Sequence, residues 1–250
     1  MYTLKKSLGQ HFLKDEAVCQ RIVSALAEHP FQRLLEVGPG GGAITKYLHK
    51  IEGVDFKAVE LDDEKIEYLE KTYPALQGKI IRGSILEIPK PFAEPFTVIG
   101  NFPYNISSQI MFRMLEWKED VDLIVGMFQK EVAERIAAPP NNKDYGILSV
   151  FMQAWFSVEY LFDVDEQSFV PPPKVKSGVI RMTNLRDPHQ IADVSKFFLL
   201  VKTAFGQRRK QLRNPLKQFF SADVLQEDIF TKRAENLSVA DYVALMKKMK

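Results

Sequence analysis

An amide, a proline and two aromatic rings follow one another at Asn101-Phe102-Pro103-Tyr104. They come directly after the apolar run Phe96 to Gly100, which reads as a buried strand. An amide oxygen and a neighbouring main-chain carbonyl, aimed the same way, can accept from both N–H bonds of one exocyclic amine. On an adenine ring such an amine is a poor nucleophile, because its lone pair is delocalised into the ring. Two acceptors draw the nitrogen toward sp³ geometry and free the lone pair. Asn101 offers one acceptor and the Phe102 carbonyl the other, while Pro103 restricts the backbone that holds them. Tyr104 adds a face on which a splayed-out base can stack, worth roughly 1–3 kcal/mol. The chemistry is positioning and preorganised electrostatics rather than acid–base catalysis. Asn-x-Pro-Tyr can also be a plain turn, so the reading depends on what stands beside it.

A nucleoside-type cofactor site stands beside it. Glu36 to Thr45, "EVGPGGGAIT", follows the first strand and opens a helix, and Gly38, Gly40 and Ala43 satisfy G-x-G-x-x-A. Glycines there let the backbone approach a ligand closely, and the start of a helix presents free N–H groups. Glu60 closes the second strand, 22 residues after Gly38. A carboxylate at that point can accept both hydroxyls of a ribose. The competing reading is a tight turn and a surface acid. The pair suits a nicotinamide dinucleotide or S-adenosylmethionine equally well. Asn101 to Tyr104, at the carboxyl end of the fourth strand, favours the second.

These residues need a sheet to position them. The runs 33–38, 56–61, 79–84, 96–101 and 122–128 read as buried strands, and 15–27, 43–49, 63–71 and 107–116 as helices between them. Strands separated by helices imply an α/β fold, a mostly parallel sheet with helices on both faces. The stretch 145–164 mixes a helix with a strand, and 177–185 is a further strand. These two are expected to lie together at an antiparallel edge. A Pro-rich connector, 170–177, cannot be helix. From Val194 to Lys250 the pattern is short amphipathic helices without strands, which sets two domains, 1–186 and 187–250.

The chain has 250 residues, 46% hydrophobic and 26% charged, as expected of a globular protein. Its single cysteine, Cys19, excludes an intrachain disulfide and any multi-cysteine metal site, and suits a reducing cytoplasm. No apolar run approaches the roughly 18 residues of a membrane span, and the first residues lack the apolar centre of a signal peptide. The net charge is only +2, but Val170 to Lys217 holds eleven Lys and Arg against Asp187 and Asp193. That segment carries +9 and leaves −7 elsewhere. A basic face on an acidic body suits a polyanionic partner, although a solvated helix surface is the plainer reading.

With these motifs in place the sequence resembles the small-subunit rRNA adenine dimethyltransferases of the KsgA type. The resemblance runs nearly end to end: 8–15 ("LGQHFLKD", with His11 where Asn is usual), 35–45, 59–62, 100–110, 127–136, 145–150, 169–181, 204–214 and 237–245. It implies a Rossmann-like class I methyltransferase sheet with a small all-α C-terminal domain. It implies S-adenosylmethionine as methyl donor, S-adenosylhomocysteine as product, and no metal. The implied substrate is N6 of two adjacent adenosines in a hairpin loop near the 3′ end of small-subunit rRNA, within a pre-assembled subunit. The implied role is in biogenesis of that subunit, in the cytoplasm, by a monomer.

The resemblance also implies site residues. Asn101, Phe102, Pro103 and Tyr104 form the catalytic motif, with Phe169 closing over the opposite face of the base. His11, Leu13, Gly38, Gly40, Glu60, Leu61, Ser84, Ile85 and Asn101 surround the cofactor. Lys174, Arg208, Arg209, Lys210 and Arg213 meet RNA phosphates, which position RNA without reading its sequence. One departure is Gly83-Ser84, where the family has Gly-Asp. Serine is shorter and uncharged, so the contact to the cofactor's adenine amine is expected to be weaker by about 0.5–1.5 kcal/mol. Two rival readings share parts of the pattern. They are an erythromycin-resistance methylase acting on large-subunit rRNA and a non-catalytic RNA-binding assembly factor. A nicotinamide oxidoreductase lacks support, because the histidines 11, 29, 49 and 189 are scattered.

Overall fold

The computed structural model describes residues 11–27 and 29–250, so Leu8 to Gln10 of the N-terminal motif lie outside the described residues. The strands are β1 (Phe12–Leu13), β2 (Arg33–Val37), β3 (Asp55–Glu60), β4 (Ile80–Arg82), β5 (Phe96–Asn101), β6 (Val121–Gln129), β7 (Phe156–Val164), β8 (Phe169–Val170) and β9 (Ser177–Asn184). The helices are α1 (Glu16–Ser24), α2 (Thr45–Leu48), α3 (Asp63–Thr72), α4 (Ser107–Glu116), α5 (Lys130–Ala137), α6 (Ile147–Gln153), α7 (Val194–Gly206) and α8 (Val239–Lys248).

The main sheet has the order β4-β3-β2-β5-β6-β9-β7. Strands β2 to β6 pair in parallel, and β9 runs antiparallel to β6. The expected parallel sheet with an antiparallel edge is therefore present. Its central strands are covered on both faces, which explains why their sequences are continuous apolar runs rather than alternating ones. Phe96 to Gly100 is buried throughout, and Leu34, Leu35, Val98 and Ile99 have no exposed surface. From β2 the chain winds outward through β3 to β4, then returns to place β5 on the other side of β2. The order reverses between β2 and β5. In sheets of this type ligands bind beyond the carboxyl ends at that reversal.

Two compact units divide the chain. One takes the described residues up to Ala133 together with Glu159–Asn184; the other takes Glu134–Val158 and Leu185–Lys250. The division is discontinuous, unlike the single linear boundary at 186 expected from the sequence. In the second unit no strand follows Leu185, and α7 and α8 start at side-chain caps. Asp193 accepts from Lys196 N at 2.8 Å, and Ser238 and Asp241 form a reciprocal capping box. Aromatic rings fill the core of this unit: Phe151 stacks on Phe198 at 4.2 Å, and Tyr242 donates to the Ala234 carbonyl at 2.8 Å.

Candidate active site

Beyond the carboxyl ends of β2, β3 and β5 lies a cavity of about 290 Å³. It gathers His11, Leu13, Gly38, Gly40, Glu60, Leu61, Ser84, Ile85, Asn101, Phe102, Pro103 and Tyr104, so every expected cofactor residue lines it. Phe169, Lys174 and the basic cluster do not.

The glycine loop forms one wall. Gly38 and Gly40 have φ of +68° and +57°, left-handed values that side-chain-bearing residues rarely adopt. The expected helix over 43–49 shrinks to α2, Thr45–Leu48, because the glycine-rich turns run on through Ile44. The loop is fixed instead by Glu60. One Glu60 oxygen accepts from Gly40 N at 3.0 Å, and the other accepts from Leu61 N at 2.9 Å and Asp62 N at 3.0 Å. A carboxylate has about four acceptor positions, so the oxygen on Gly40 keeps capacity for a ligand hydroxyl. Asp62 then caps α3 by accepting from Glu64 N at 3.2 Å.

The opposite wall is the Asn101–Tyr104 turn. Phe102 N donates to the Met127 carbonyl at 3.1 Å, carrying the β5–β6 pairing one step past the strand end. The Phe102 ring is buried between sheet glycines. A Cβ on Gly126 would stand 2.4 Å from it, so that close approach requires glycine. The ring is thus an anchor for the turn. Pro103 lies 3.8 Å from the position a Gly38 Cβ would take, which sets the two motifs side by side. The Tyr104 hydroxyl lies 2.6 Å from Ser177 Oγ; burial raises the phenol pKa, and this hydrogen bond acts the other way.

The N-terminal strand closes the cavity. β1 pairs antiparallel with β8, Phe12 opposite Val170 and Leu13 opposite Phe169. Lys14 N donates to the Ser168 carbonyl at 2.9 Å, and Ser168 Oγ donates to Asp15 at 3.1 Å. Phe169, expected to close over the base, does not line the cavity. It has no exposed surface and belongs to the same buried cluster as its strand partner Leu13. The ring over Tyr104 is His11, with centroids 5.7 Å apart and planes at 27°. His11 Nδ1 donates to the Pro171 carbonyl at 2.8 Å.

Ser84 follows Gly83 and accepts from Leu86 N at 3.2 Å, so its hydroxyl also caps the turn after β4. Lys174, Arg209 and Lys210 are exposed. Arg213 is half-buried with Nε enclosed and unpartnered, and Arg208 is bonded within its own unit.

Two charged residues of the cavity wall are not among those expected from the sequence. Glu36, in β2, is 1% exposed; Thr45 Oγ1 donates to one of its oxygens at 2.9 Å, and the other has no partner. Burial pushes its carboxyl up to about 8, against the Thr45 hydrogen bond and with help from the Glu60 charge. A lone acid in the apolar run Leu34-Leu35-Glu36-Val37 was the available signal. Lys65, in the first turn of α3, is 5% exposed, with Nζ 3.9 Å from the position of a Gly40 Cβ. Nothing in the sequence distinguishes it from a surface lysine.

The family model described as ribosomal RNA adenine dimethylase matches residues 1–250. The chain belongs to the ribosomal RNA adenine dimethylases. Curated relatives named ribosomal RNA small subunit methyltransferase A agree. That of Cytophaga hutchinsonii is 48% identical over 96% of this chain and 95% of its own. That of Flavobacterium johnsoniae is 50% identical, over 98% and 95%. That of Bacteroides fragilis is 51% identical, over 96% and 90%. A dimethyladenosine transferase from Plasmodium falciparum shares the fold at TM-score 0.81 and 24% identity, over 94% of this chain and 96% of that one. The 23S rRNA methyltransferase ErmE does so at 0.73 and 22%, over 95% and 99%. The fold is that of class I methyltransferases, and the likeness to the erythromycin-resistance type is one of fold. Among the described residues no helix is long and apolar enough to cross a membrane, and no group of three His, Cys, Asp or Glu is arranged to hold a metal.

Proposed function

We propose that this dimethylase transfers methyl groups from S-adenosylmethionine to N6 of two adjacent adenosines in a hairpin loop near the 3′ end of small-subunit rRNA. The observation that carries the reading is the shared cavity, in which the glycine loop, Glu60 and the Asn101–Tyr104 turn meet at the sheet's reversal point. The donor set fits the cofactor. Glu60 keeps acceptor capacity for a ribose hydroxyl, Leu61 and Ile85 offer apolar surface, and the unpartnered Glu36 oxygen is buried at the cavity wall. When bound, S-adenosylmethionine supplies a methyl group made electrophilic by its sulfonium.

The chain's own residues do the rest. Asn101 Oδ1 and the Phe102 carbonyl accept from the adenine amine and favour the tetrahedral nitrogen. Tyr104 supports the base, beside the His11 ring that stacks on it, and Phe169 is buried in the core. No general base is required, since the amine proton can leave to water after transfer. The exposed Lys174, Arg209 and Lys210 are the RNA-facing cations of this reading. The protein is read as a cytoplasmic monomer acting on assembled small subunits during their maturation.

The test is methyl-labelled cofactor offered with small subunits lacking these methyls, with large subunits and with free RNA, followed by mapping of the label. Label at two adjacent adenosines of the small subunit is expected. Label confined to large-subunit RNA would move the assignment to the erythromycin-resistance type.

A further inference from the structure

The basic turn after α7 does not act as one block. Arg208 Nη2 donates to the Lys143 carbonyl at 2.6 Å and reaches the Asn142 carbonyl at 3.5 Å. Its Nε lies 3.6 Å from the Glu235 carboxylate. The guanidinium is thus spent on a loop 65 residues earlier in the chain. The same loop is gripped a second time. Asn141 N donates to the Glu235 carbonyl at 2.8 Å, and Asn236 Nδ2 donates to Asn141 Oδ1 at 2.9 Å. Asn141 itself has φ of 68°, a left-handed value that Asn tolerates better than most residues. Asp144 N closes the loop onto Asn142 Oδ1 at 2.8 Å.

All these residues belong to the unit formed by Glu134–Val158 and Leu185–Lys250. The arrangement leaves Lys143, Arg209 and Lys210 exposed, with the exposed amides of Asn141 and Asn142 beside Lys143. Of the nearby acids, Glu235 is matched to Arg208 and Asp144 is half-buried. Cations with amide donors on a fixed backbone are the set that holds phosphate oxygens.

We propose that the Asn141–Asp144 loop is part of the RNA-contacting surface, that Lys143 contacts a backbone phosphate there, and that Arg208 is a positioning residue which holds the loop in place. The inference rests on the reading that this unit faces rRNA, and it changes that reading's map. Arg208 leaves the set of phosphate contacts, and Lys143, outside the basic segment of the sequence, joins it.

The experiment is equilibrium binding of the full chain to free small-subunit rRNA and to assembled small subunits over a range of salt. The variants are Lys143→Gln, Arg208→Gln, the double variant, and Arg209→Gln with Lys210→Gln. Lys143→Gln should lower the slope of log affinity against log salt by about 0.7–0.9, one phosphate contact. A fourfold rise in salt then costs this variant about threefold less affinity than it costs the wild type. Arg208→Gln should weaken binding similarly, and the double variant should bind no worse than the weaker single one, because the two substitutions remove the same contact. Additive losses would overturn the positioning role. Wild-type binding by Lys143→Gln, with weak binding by the Arg209/Lys210 variant, would overturn the loop inference and leave the broader reading standing. Wild-type binding by every variant would overturn both. Weaker binding of Lys143→Gln to assembled subunits but not to free rRNA would assign the loop to a protein contact instead.

Discussion

Replacing Glu36 by Gln tests the electrostatics of the cavity wall. The carboxyl is enclosed in β2, holds the Thr45 hydroxyl at 2.9 Å with one oxygen and has no partner for the other. It titrates near 8 in the folded protein against an ordinary 4.5, chiefly because burial penalises its charge. The folded state therefore keeps a proton that the unfolded chain gives up. The stability contributed by the neutral acid is complete below pH 4.5 and is lost as pH rises toward 8. Each pH unit between those limits removes up to about 1.4 kcal/mol, so the loss from pH 5 to pH 7 is about 2–3 kcal/mol. Gln has nearly the same shape and still accepts from Thr45, but cannot ionise. The stability difference between variant and wild type should therefore grow by about 2–3 kcal/mol between pH 5 and pH 7. Urea unfolding at matched pH values measures it, provided the slopes m are equal. A difference that stays flat across this range would show that Glu36 is not held neutral by its burial.

Three further outcomes follow from the structure. Ser84→Asp should keep the turn cap, since Asp caps as Ser does, and should tighten cofactor binding by about 0.5–1.5 kcal/mol in a titration; equal or weaker binding would remove the proposed contact. Tyr104→Ala should raise the KM for RNA by about 5- to 150-fold, the equivalent of roughly 1–3 kcal/mol of stacking, and leave cofactor affinity in place; an unchanged KM would free Tyr104 from the base. The Cys19 thiol is buried and pushed up to about 11 by desolvation, so it should react with thiol reagents only as the protein unfolds; fast labelling of the native protein would contradict its enclosure.

The sheet was legible because a parallel sheet covered on both faces writes itself as apolar runs with helices between them. The cavity was legible because a glycine turn after one strand and an acid at the end of the next meet beyond the carboxyl ends of a parallel sheet. What stayed hidden depended on contacts between distant segments. The role of Phe169 turns on its pairing with Leu13, 156 positions away, which no local pattern reveals. Arg208 looks like its neighbours in the sequence, and only the folded loop at Asn142–Lys143 shows where its donors go. The membership of Glu134–Val158 in the second unit is hidden for the same reason, since its helices read like any others.

Asn101→Ala tests the central claim most directly. Methyl transfer to small-subunit RNA is measured in a single turnover, alongside cofactor binding to the same preparation. Loss of a preorganised acceptor predicts a fall in rate of about 10²–10³-fold at saturating cofactor, far beyond any change in cofactor affinity. A variant that methylates at the wild-type rate would contradict the account, because the amide at the end of β5 would then have no part in the reaction.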